Sequence, residues 1–578
     1  MKSQVSRSVA QNPNVPPESS TLGFMKISSL WSRKGNQPPW VLLVAAGIVA
    51  IAIALPLAYL VMRTASIESS ELWELVSRRR TLQVLFNSAA MAVIVTLSCA
   101  AIAIPLAFLT LRTDLKWRRF WLIATTLPLA VPSYVGSFTL LSAFSPKGSL
   151  LQLLVEPLGV KELPSIYGWT GTILAMTLFT YPYLLLSVRA GLQGIDPALE
   201  EAARSLGKTP QQTFWQITLP QLRPALVGGG LLVALYSLRD FGTPSLMQFD
   251  AFTRIIYLQY RGSFDRHAAA ASALMLVGLI LLILWLENRV RTRAKYYSRG
   301  SGRFNQGSLR QSHSPHLVKL GFWQLPAQIF CTLVVSLSLV LPIGVTLFWL
   351  LRGWSNTEIL PSLLPAVLNS VWASGIAALV AILFALPVAI LSIRFPSRLS
   401  AILERTAYLG FGLPGIVVAL SLVFFGANYV PWLYQTIPML VFAYLVLFLP
   451  QAIGTLRSSL LQINPQLEES ARILGKSQWS SFCQITLPLL RPGAIAGAML
   501  VFLTAIKELP ANLLLAPIGF ETLAVQIWKA TENVAFADAA AASLTILLVS
   551  LGSTLLLLSQ EEGRGRDEVR SQKSEVRS

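Results

Sequence analysis

The sequence predicts an all-α polytopic membrane protein with about twelve transmembrane helices, arranged as two parallel six-helix repeats. Of its 578 residues, 54% are hydrophobic and only 13% are charged, whereas a soluble protein carries about 25% charged residues. Apolar runs of about 20 residues or more recur along the chain, and each is long enough to cross a bilayer. Residues 195–224 recur at 463–492 without a gap, with 19 of 30 positions identical.

The apolar runs place six spans in each half. In the first half we expect them near residues 40–62, 87–110, 120–144, 168–188, 225–248 and 267–287. In the second half we expect them near residues 324–351, 369–393, 406–427, 436–456, 494–515 and 538–558. An even number of spans separates the two repeated segments, so both halves cross the membrane in the same sense and the repeats are parallel.

Composition divides the chain into five segments. Residues 1–38 are polar and residues 560–578 alternate acid and base, so both ends are expected to be disordered cytoplasmic tails. The first membrane repeat is expected at 39–288, a basic cytoplasmic linker at 289–322, and the second membrane repeat at 323–559.

Loop charges predict the orientation. Basic residues crowd the loops after Arg112 and Arg394, which match at an offset of 282 residues, and they also fill the linker. Because positive loops stay in the cytoplasm, these loops, both repeated segments and both termini are expected there. Arg78–Arg80 departs from this rule, since it falls on the opposite side. The net charge of +19 is thus explained by the membrane, and no nucleic-acid binding is expected.

The repeated segments, which we call the first repeat loop (195–224) and the second repeat loop (463–492), each predict a helix, a glycine turn and a second short helix. A capping residue followed by proline begins the first helix, and glycine ends it. The second helix is expected to end before a proline. These residues are Asp196, Pro197, Gly207 and Pro220 in the first loop, and Asn464, Pro465, Gly475 and Pro488 in the second.

The first helix has a predicted apolar face. Leu199, Ala202, Ala203 and Leu206 lie at helical spacing on one side. Such a face, with charged flanks, suits docking into a groove on another protein.

The repeat loops resemble the cytoplasmic loop of binding-protein-dependent ABC importer permeases, through a Glu-Ala-Ala, Gly and Ile-x-Leu-Pro pattern in which the second loop has serine in the middle of the triplet. The residues concerned are Glu200, Glu201, Ala202, Ala203, Gly207, Leu219 and Pro220, and then Glu468, Glu469, Ser470, Ala471, Gly475, Leu487 and Pro488. The resemblance implies a type I importer fold and docking to two copies of an ABC ATP-binding subunit, with Glu201 and Glu469 expected to contact it.

Among these permeases the chain is most similar to the fused, two-half permeases of ferric-iron importers. The similarity is carried by residues 239–266 and 507–528. It implies a location in a bacterial inner membrane and a periplasmic binding protein that delivers ferric iron. We expect transport by alternating access. Thiamine permeases share the fused layout, and polyamine, sulfate and molybdate permeases share the loop, so these substrates remain alternatives.

No pattern predicts catalysis. The chain lacks a GxxxxGK[ST] phosphate loop, so ATP hydrolysis would belong to a partner subunit. A secondary transporter that works without an ATPase is the alternative from another class, but it would have no use for twin docking loops. The cysteines and histidines are scattered, so neither a metal site nor a cofactor is expected.

Charges within the spans give a candidate pathway. Arg239 and Asp240 lie near the end of the fifth span, and Lys507 and Glu508 match them at an offset of 268. Ionisable groups at membrane depth are costly and are paired or face a cavity. Adjacent residues do not face each other on a helix, so their partners come from elsewhere. Two interpretations stay open: a lining of the central pathway, or structural pairing at a helix break that nearby glycine and proline residues imply.

Overall fold

A computed structural model describes residues 38–195, 197–262, 265–297, 317–353 and 359–552. The first half contains α1 (Trp40–Ala65), α2 (Ser69–Ser77), α3 (Arg79–Arg112), α4 (Arg118–Ala124), α5 (Ser133–Phe144), α6 (Leu150–Val155), α7 (Trp169–Gln193), α8 (Pro197–Ser205), α9 (Pro210–Thr213), α10 (Leu219–Arg239), α11 (Gly242–Leu246), α12 (Phe252–Arg261) and α13 (Arg266–Tyr297). The second half contains α14 (Gln324–Val335), α15 (Leu341–Arg352), α16 (Ile359–Arg394), α17 (Arg398–Ala407), α18 (Gly415–Tyr429), α19 (Ile437–Gln462), α20 (Pro465–Ile473), α21 (Gln478–Ser481), α22 (Leu487–Ala505), α23 (Pro510–Leu515), α24 (Leu523–Glu532) and α25 (Phe536–Gly552).

Short helical segments of other types join several of these helices. Turns of 3₁₀ helix lie at Leu127–Ala130, Glu156–Leu158, Gly321–Trp323 and Leu409–Gly412. Turns of π-helix lie at Phe214–Thr218, Ser336–Val340 and Phe482–Thr486. In the part of the chain that the structure describes, the single β-bridge pairs Thr113 with Val318 at the end of the linker.

The observed helices occupy the places of the twelve predicted spans. Within the described ranges, nine helical stretches are long and apolar enough to cross a membrane, and two bent pairs can each form one more. The shorter apolar helix α25 occupies the start of the twelfth predicted span. The predicted tails lie outside the described residues, except for residue 38, and so does most of the linker. The segment boundaries therefore stay a prediction.

Two spans are sharply bent inside the bundle. The pair α4–α5 turns by 96° and the pair α17–α18 by 106°. The residue before each second helix is proline, Pro132 or Pro414, with an extended backbone that ends the preceding turn. Most side chains of α5 and α18 are buried. The halves therefore place these two short helices at the centre of the protein.

The first span of each half packs against the other half. Helix α1 contacts α16, α17 and α18, and α15 contacts α5. Cys331 of α14 lies in the same buried cluster as Cys99 of α3. Because apolar side chains from both halves share these clusters, the two repeats interlock and do not form separate units.

The helix after each glycine turn differs from its prediction. It does not end before Pro220 or Pro488 but continues through a π-helical turn into the next span, so that residues 211–239 and 479–505 form single helical stretches. Proline lacks the N–H of a regular turn, and in each case the π-helical turn directly before it interrupts the regular α-helical hydrogen bonding at that point. The fifth and eleventh spans therefore begin and end earlier than the predicted 225–248 and 494–515.

Candidate functional site

The glycine turns of the repeat loops have the predicted geometry. Gly207 and Gly475 both have φ of +83°, a left-handed conformation that other residues adopt only at a cost. In each loop the residue after the glycine donates its N–H to a carbonyl of the preceding helix. Lys208 donates to the Ala203 carbonyl at 3.1 Å, and Lys476 donates to the Ala471 carbonyl at 3.0 Å. Asn464 caps α20 as predicted, accepting from the Gln466 N–H at 3.0 Å, whereas Asp196 lies outside the described residues.

A partly buried cluster fixes the second repeat loop to the membrane helices. The Arg394 guanidinium at the end of α16 lies 2.9 Å from the Glu468 carboxylate in α20. The same carboxylate accepts a hydrogen bond of 2.8 Å from the Thr486 hydroxyl, in the π turn before α22. The two charged side chains are 12% and 19% exposed. Three elements that are separate in sequence are thus joined at one carboxylate.

The first repeat loop has the same cluster in a looser form. Glu200 accepts from the Thr218 hydroxyl at 3.0 Å, but the nearest Arg112 nitrogen is 3.8 Å away. Arg112 instead donates to the carbonyls of Leu192 and Ile195, at 3.0 and 3.4 Å. We call each set, Arg112–Glu200–Thr218 and Arg394–Glu468–Thr486, an Arg–Glu–Thr latch.

The predicted apolar face of the first helix is only partly correct. Ala203 and its counterpart Ala471 are buried, at 4% and 7% exposure. Leu206 and Leu474, which match each other, are both 83% exposed and point away from the bundle. The remaining outward residues are Leu199, Glu201 and Ala202 in the first loop, and Leu467, Glu469 and Ser470 in the second. Each loop therefore presents exposed apolar and acidic side chains on and just after a helix whose other side carries the latch glutamate.

The rest of each motif leads into a span. Leu219, Pro220 and Pro488 are partly buried, and Leu487 is exposed. They follow the π turn that carries the latch threonine, so this threonine and the span belong to one continuous helical stretch.

The intramembrane charges lie where the two halves meet. Arg239, the last residue of α10, donates to the Phe411 carbonyl at 2.5 Å, and Lys507 donates to the Ala130 carbonyl at 2.9 Å. Each basic residue thus lies at the end of the fifth or eleventh span. It donates to the 3₁₀ turn that precedes α5 or α18 in the other half. We call this pair of hydrogen bonds the cross-half clasp.

The carboxylates next to the clasp are held differently. Asp240 accepts from the Ser133 hydroxyl and, at 2.9 Å, from the Thr243 N–H. Glu508 lies against Gly415, and a hydrogen bond links its backbone carbonyl to the Asn512 amide. The structure confirms that the partners of these charges come from other elements, and that the chain breaks after Arg239 and near Lys507.

Some of these residues were missed from the sequence. In the sequence, Arg112 and Arg394 indicate only the orientation of the chain, and no local pattern distinguishes Thr218 or Thr486. Their recurrence in both halves was the available signal. Arg189 was also missed: it is buried in α7 and donates to the hydroxyls of Thr125 and Thr126 at 2.8 Å, bracing the bent span.

The chain matches the family described as binding-protein-dependent transport system inner membrane component over residues 100–296 and again over 377–561. The chain belongs to this family. It is therefore a multi-pass membrane protein and a permease component, and the family implies association with ATP-binding and substrate-binding components. The two matches correspond to the two halves of the structure.

Relatives give the same assignment over most of the chain. The Fe(3+)-transport system permease protein FbpB 2 of Haemophilus influenzae is 34% identical over 529 residues, which cover 91% of this chain and 99% of the relative. The ferric transport system permease protein FbpB of Actinobacillus pleuropneumoniae is 25% identical over 78% of this chain and 67% of its own length. The sulfate transport system permease protein CysT of Escherichia coli is 28% identical, over 42% of this chain and 89% of its own length.

The latch gives a stability prediction. Glu468→Gln removes the charge that Arg394 contacts and leaves a largely buried guanidinium without its counterion, so we expect a loss of about 1–3 kcal/mol in the free energy of unfolding. Thermal unfolding of the purified protein measures this loss, and hydrogen exchange should rise in α20. The control is Glu74→Gln, which breaks an exposed ion pair with Arg78 and should cost about 0–1 kcal/mol. Equal effects of the two variants would contradict the role of the latch.

Proposed function

We propose that this chain is the permease of an ATP-driven importer that carries ferric iron across the inner membrane by alternating access. The observation that supports this most directly is the pair of exposed helices in the repeat loops, each joined to the membrane spans by an Arg–Glu–Thr latch. ATP is hydrolysed by two copies of a separate ATP-binding subunit, and a periplasmic binding protein delivers the cargo.

The exposed helices suit a protein partner. Leu206 and Leu474 lie in short polar loops outside the spans, where exposed apolar side chains have no lipid to cover them. Exposed apolar residues grouped on a helix commonly mark a protein interface. The acidic neighbours Glu201 and Glu469 add polar contacts at the edge. Because the helix occurs twice, two copies of the partner dock.

The latch can transmit movement of the partner into the membrane. It connects the docking helix to the end of α3 or α16 and to the start of the fifth or eleventh span. A pull on α8 or α20 therefore acts on two spans at once. Those spans end at the cross-half clasp, so closure of the partner subunits changes the contacts between the halves.

The proposed orientation places the repeat loops in the cytoplasm. The basic ends of α3 and α16 lie beside them, in agreement with the preference of positive loops for that side. Both termini are then cytoplasmic. The binding protein approaches the opposite face, where α2, α12 and α24 lie.

Ferric iron is supported by the relatives. Two that cover most of the chain are named for ferric or Fe(3+) transport, whereas the sulfate permease aligns with less than half of it. Thiamine and polyamines remain the alternatives from the fused and loop-sharing permeases.

Docking is tested by Leu206→Asp combined with Leu474→Asp. Both side chains are exposed, so the protein should fold normally, but two charges in an apolar contact should release the partner. Co-purification of the ATP-binding subunit is expected to fall about tenfold or more. The control is Leu158→Asp, at an equally exposed position (80%) outside the repeat loops. Full retention of the ATP-binding subunit by the double variant would refute docking at these helices.

Substrate and energy source are tested together in liposomes that contain the permease and its ATP-binding subunit. Addition of the iron-loaded binding protein should give uptake of radiolabelled ferric iron only when ATP is present on the side of the ATP-binding subunit. Sulfate and thiamine with their binding proteins should not be taken up. Uphill uptake without the ATP-binding subunit would favour the secondary transporter instead.

Alternating access is tested by spin labels at positions 201 and 469, which are exposed on the two docking helices. Binding of a non-hydrolysable ATP analogue to the whole importer should shorten the distance between the labels by several ångströms. Labels on α2 and α24, at the opposite face, should move apart in the same experiment. Distances that do not change with nucleotide at either face would rule out the mechanism.

A further inference from the structure

The two carboxylates beside the clasp occupy matched positions in different surroundings. In the first half, Asp240 Oδ1 accepts from the Ser133 hydroxyl and Oδ2 accepts from the Thr243 N–H. Both carboxylate oxygens therefore have a donor from their own half. The Ser137 hydroxyl adds a bond of 3.0 Å to Thr243 and ties the same region of α5 to α11. This arrangement is what a structural carboxylate at a helix break requires.

The second half replaces this pair with a glycine and a longer acid. Ser133 corresponds to Gly415 at the offset of 282, and Asp240 corresponds to Glu508 at the offset of 268. A Cβ built on Gly415 would overlap the Glu508 Oε1 atom, so the absence of a side chain makes room for the carboxylate. Within the described residues, that Oε1 atom is buried and has no hydrogen-bond partner. A buried polar atom without a partner costs free energy, so packing alone does not explain it.

The neighbouring cations do not bond to this oxygen. Arg239, from the first half, donates from its guanidinium to the Phe411 carbonyl. Lys507 donates to the Ala130 carbonyl. The clasp thus holds both basic groups on backbone oxygens, so the buried Glu508 Oε1 atom forms no hydrogen bond with either of them.

The surroundings fit a passing contact better than a storage site. Among the described residues, no three His, Cys, Asp or Glu side chains converge to hold a metal ion. Transport requires contacts that are favourable enough for the cargo to enter and weak enough for it to leave. A single carboxylate meets that requirement, whereas a complete ligand set would trap a trivalent ion.

We propose that Glu508, and not its counterpart Asp240, contacts the cationic cargo as it passes between the halves. The proposal rests on the proposed function, in which the cargo is ferric iron. This small, highly charged cation favours oxygen ligands, and carboxylates supply them. Glu508 also supplies negative charge at a place where two basic side chains would otherwise repel the cargo.

The test is Glu508→Gln in the complete importer, reconstituted in liposomes with the ATP-binding subunit and the iron-loaded binding protein. The readout is iron taken up per ATP hydrolysed. We expect this ratio to fall about tenfold or more, while stimulation of ATP hydrolysis by the binding protein persists, because the change preserves side-chain size and lies far from the repeat loops. The matched control is Glu162→Gln, an exposed acid paired with Lys147, which should leave the ratio unchanged.

A second variant keeps a carboxylate at position 508 but provides it with a hydrogen-bond donor. Gly415→Ser with Glu508→Asp rebuilds the arrangement of the first half, and the introduced hydroxyl should hold the shortened acid. Uptake per ATP should fall as in Glu508→Gln. Unchanged uptake per ATP in either variant would overturn the role of Glu508 while leaving the ferric-iron function in place. No iron uptake by the unchanged protein would instead overturn the proposed function, and the role of Glu508 with it.

Discussion

A helix that is interrupted inside a membrane must find partners for the backbone groups that it frees, because hydrocarbon offers none. In the described part of each half, one span is bent at Pro132 or Pro414 and another is broken after Arg239 or near Lys507. The basic side chain at the break of one half donates to a carbonyl at the bend of the other. The halves therefore satisfy each other's backbone, and neither bend is complete without the opposite half.

The packing of the first spans also makes each half depend on the other. Helix α1 covers α16–α18, and α15 covers α5, so the buried centre of each half is closed by a helix that comes from the other. A relative movement of the halves must then change the clasp and slide the first spans together. This makes a few discrete arrangements more favourable than a continuous range, since close-packed interfaces do not deform gradually.

Much of the fold could be predicted from the sequence, because lipid imposes continuous apolar helices and the chain shows them as long runs. The glycine turns could also be predicted, since Gly207 and Gly475 recur at one spacing. The bends of 96° and 106° could not, because proline indicates an interruption and not its angle. The latch was missed because the approach of α3 to α8 brings Arg112 to Glu200, and nothing local in the sequence reports that approach.

Under these proposals, the two halves keep the same residues where each half contacts its own partner, and they differ where both halves contact one cargo ion. The proposed ATP-binding subunits are two, and the repeat loops that would receive them keep the same latch residues in both copies. The proposed cargo ion, passing between the halves, would meet both copies at once, so one carboxylate with an unpaired oxygen is sufficient there. The duplicated chain can therefore keep Ser133 and Asp240 as a structural pair in one half while Gly415 and Glu508 diverge in the other. A second carboxylate with an unpaired oxygen would bind the proposed trivalent cargo more tightly and slow its release.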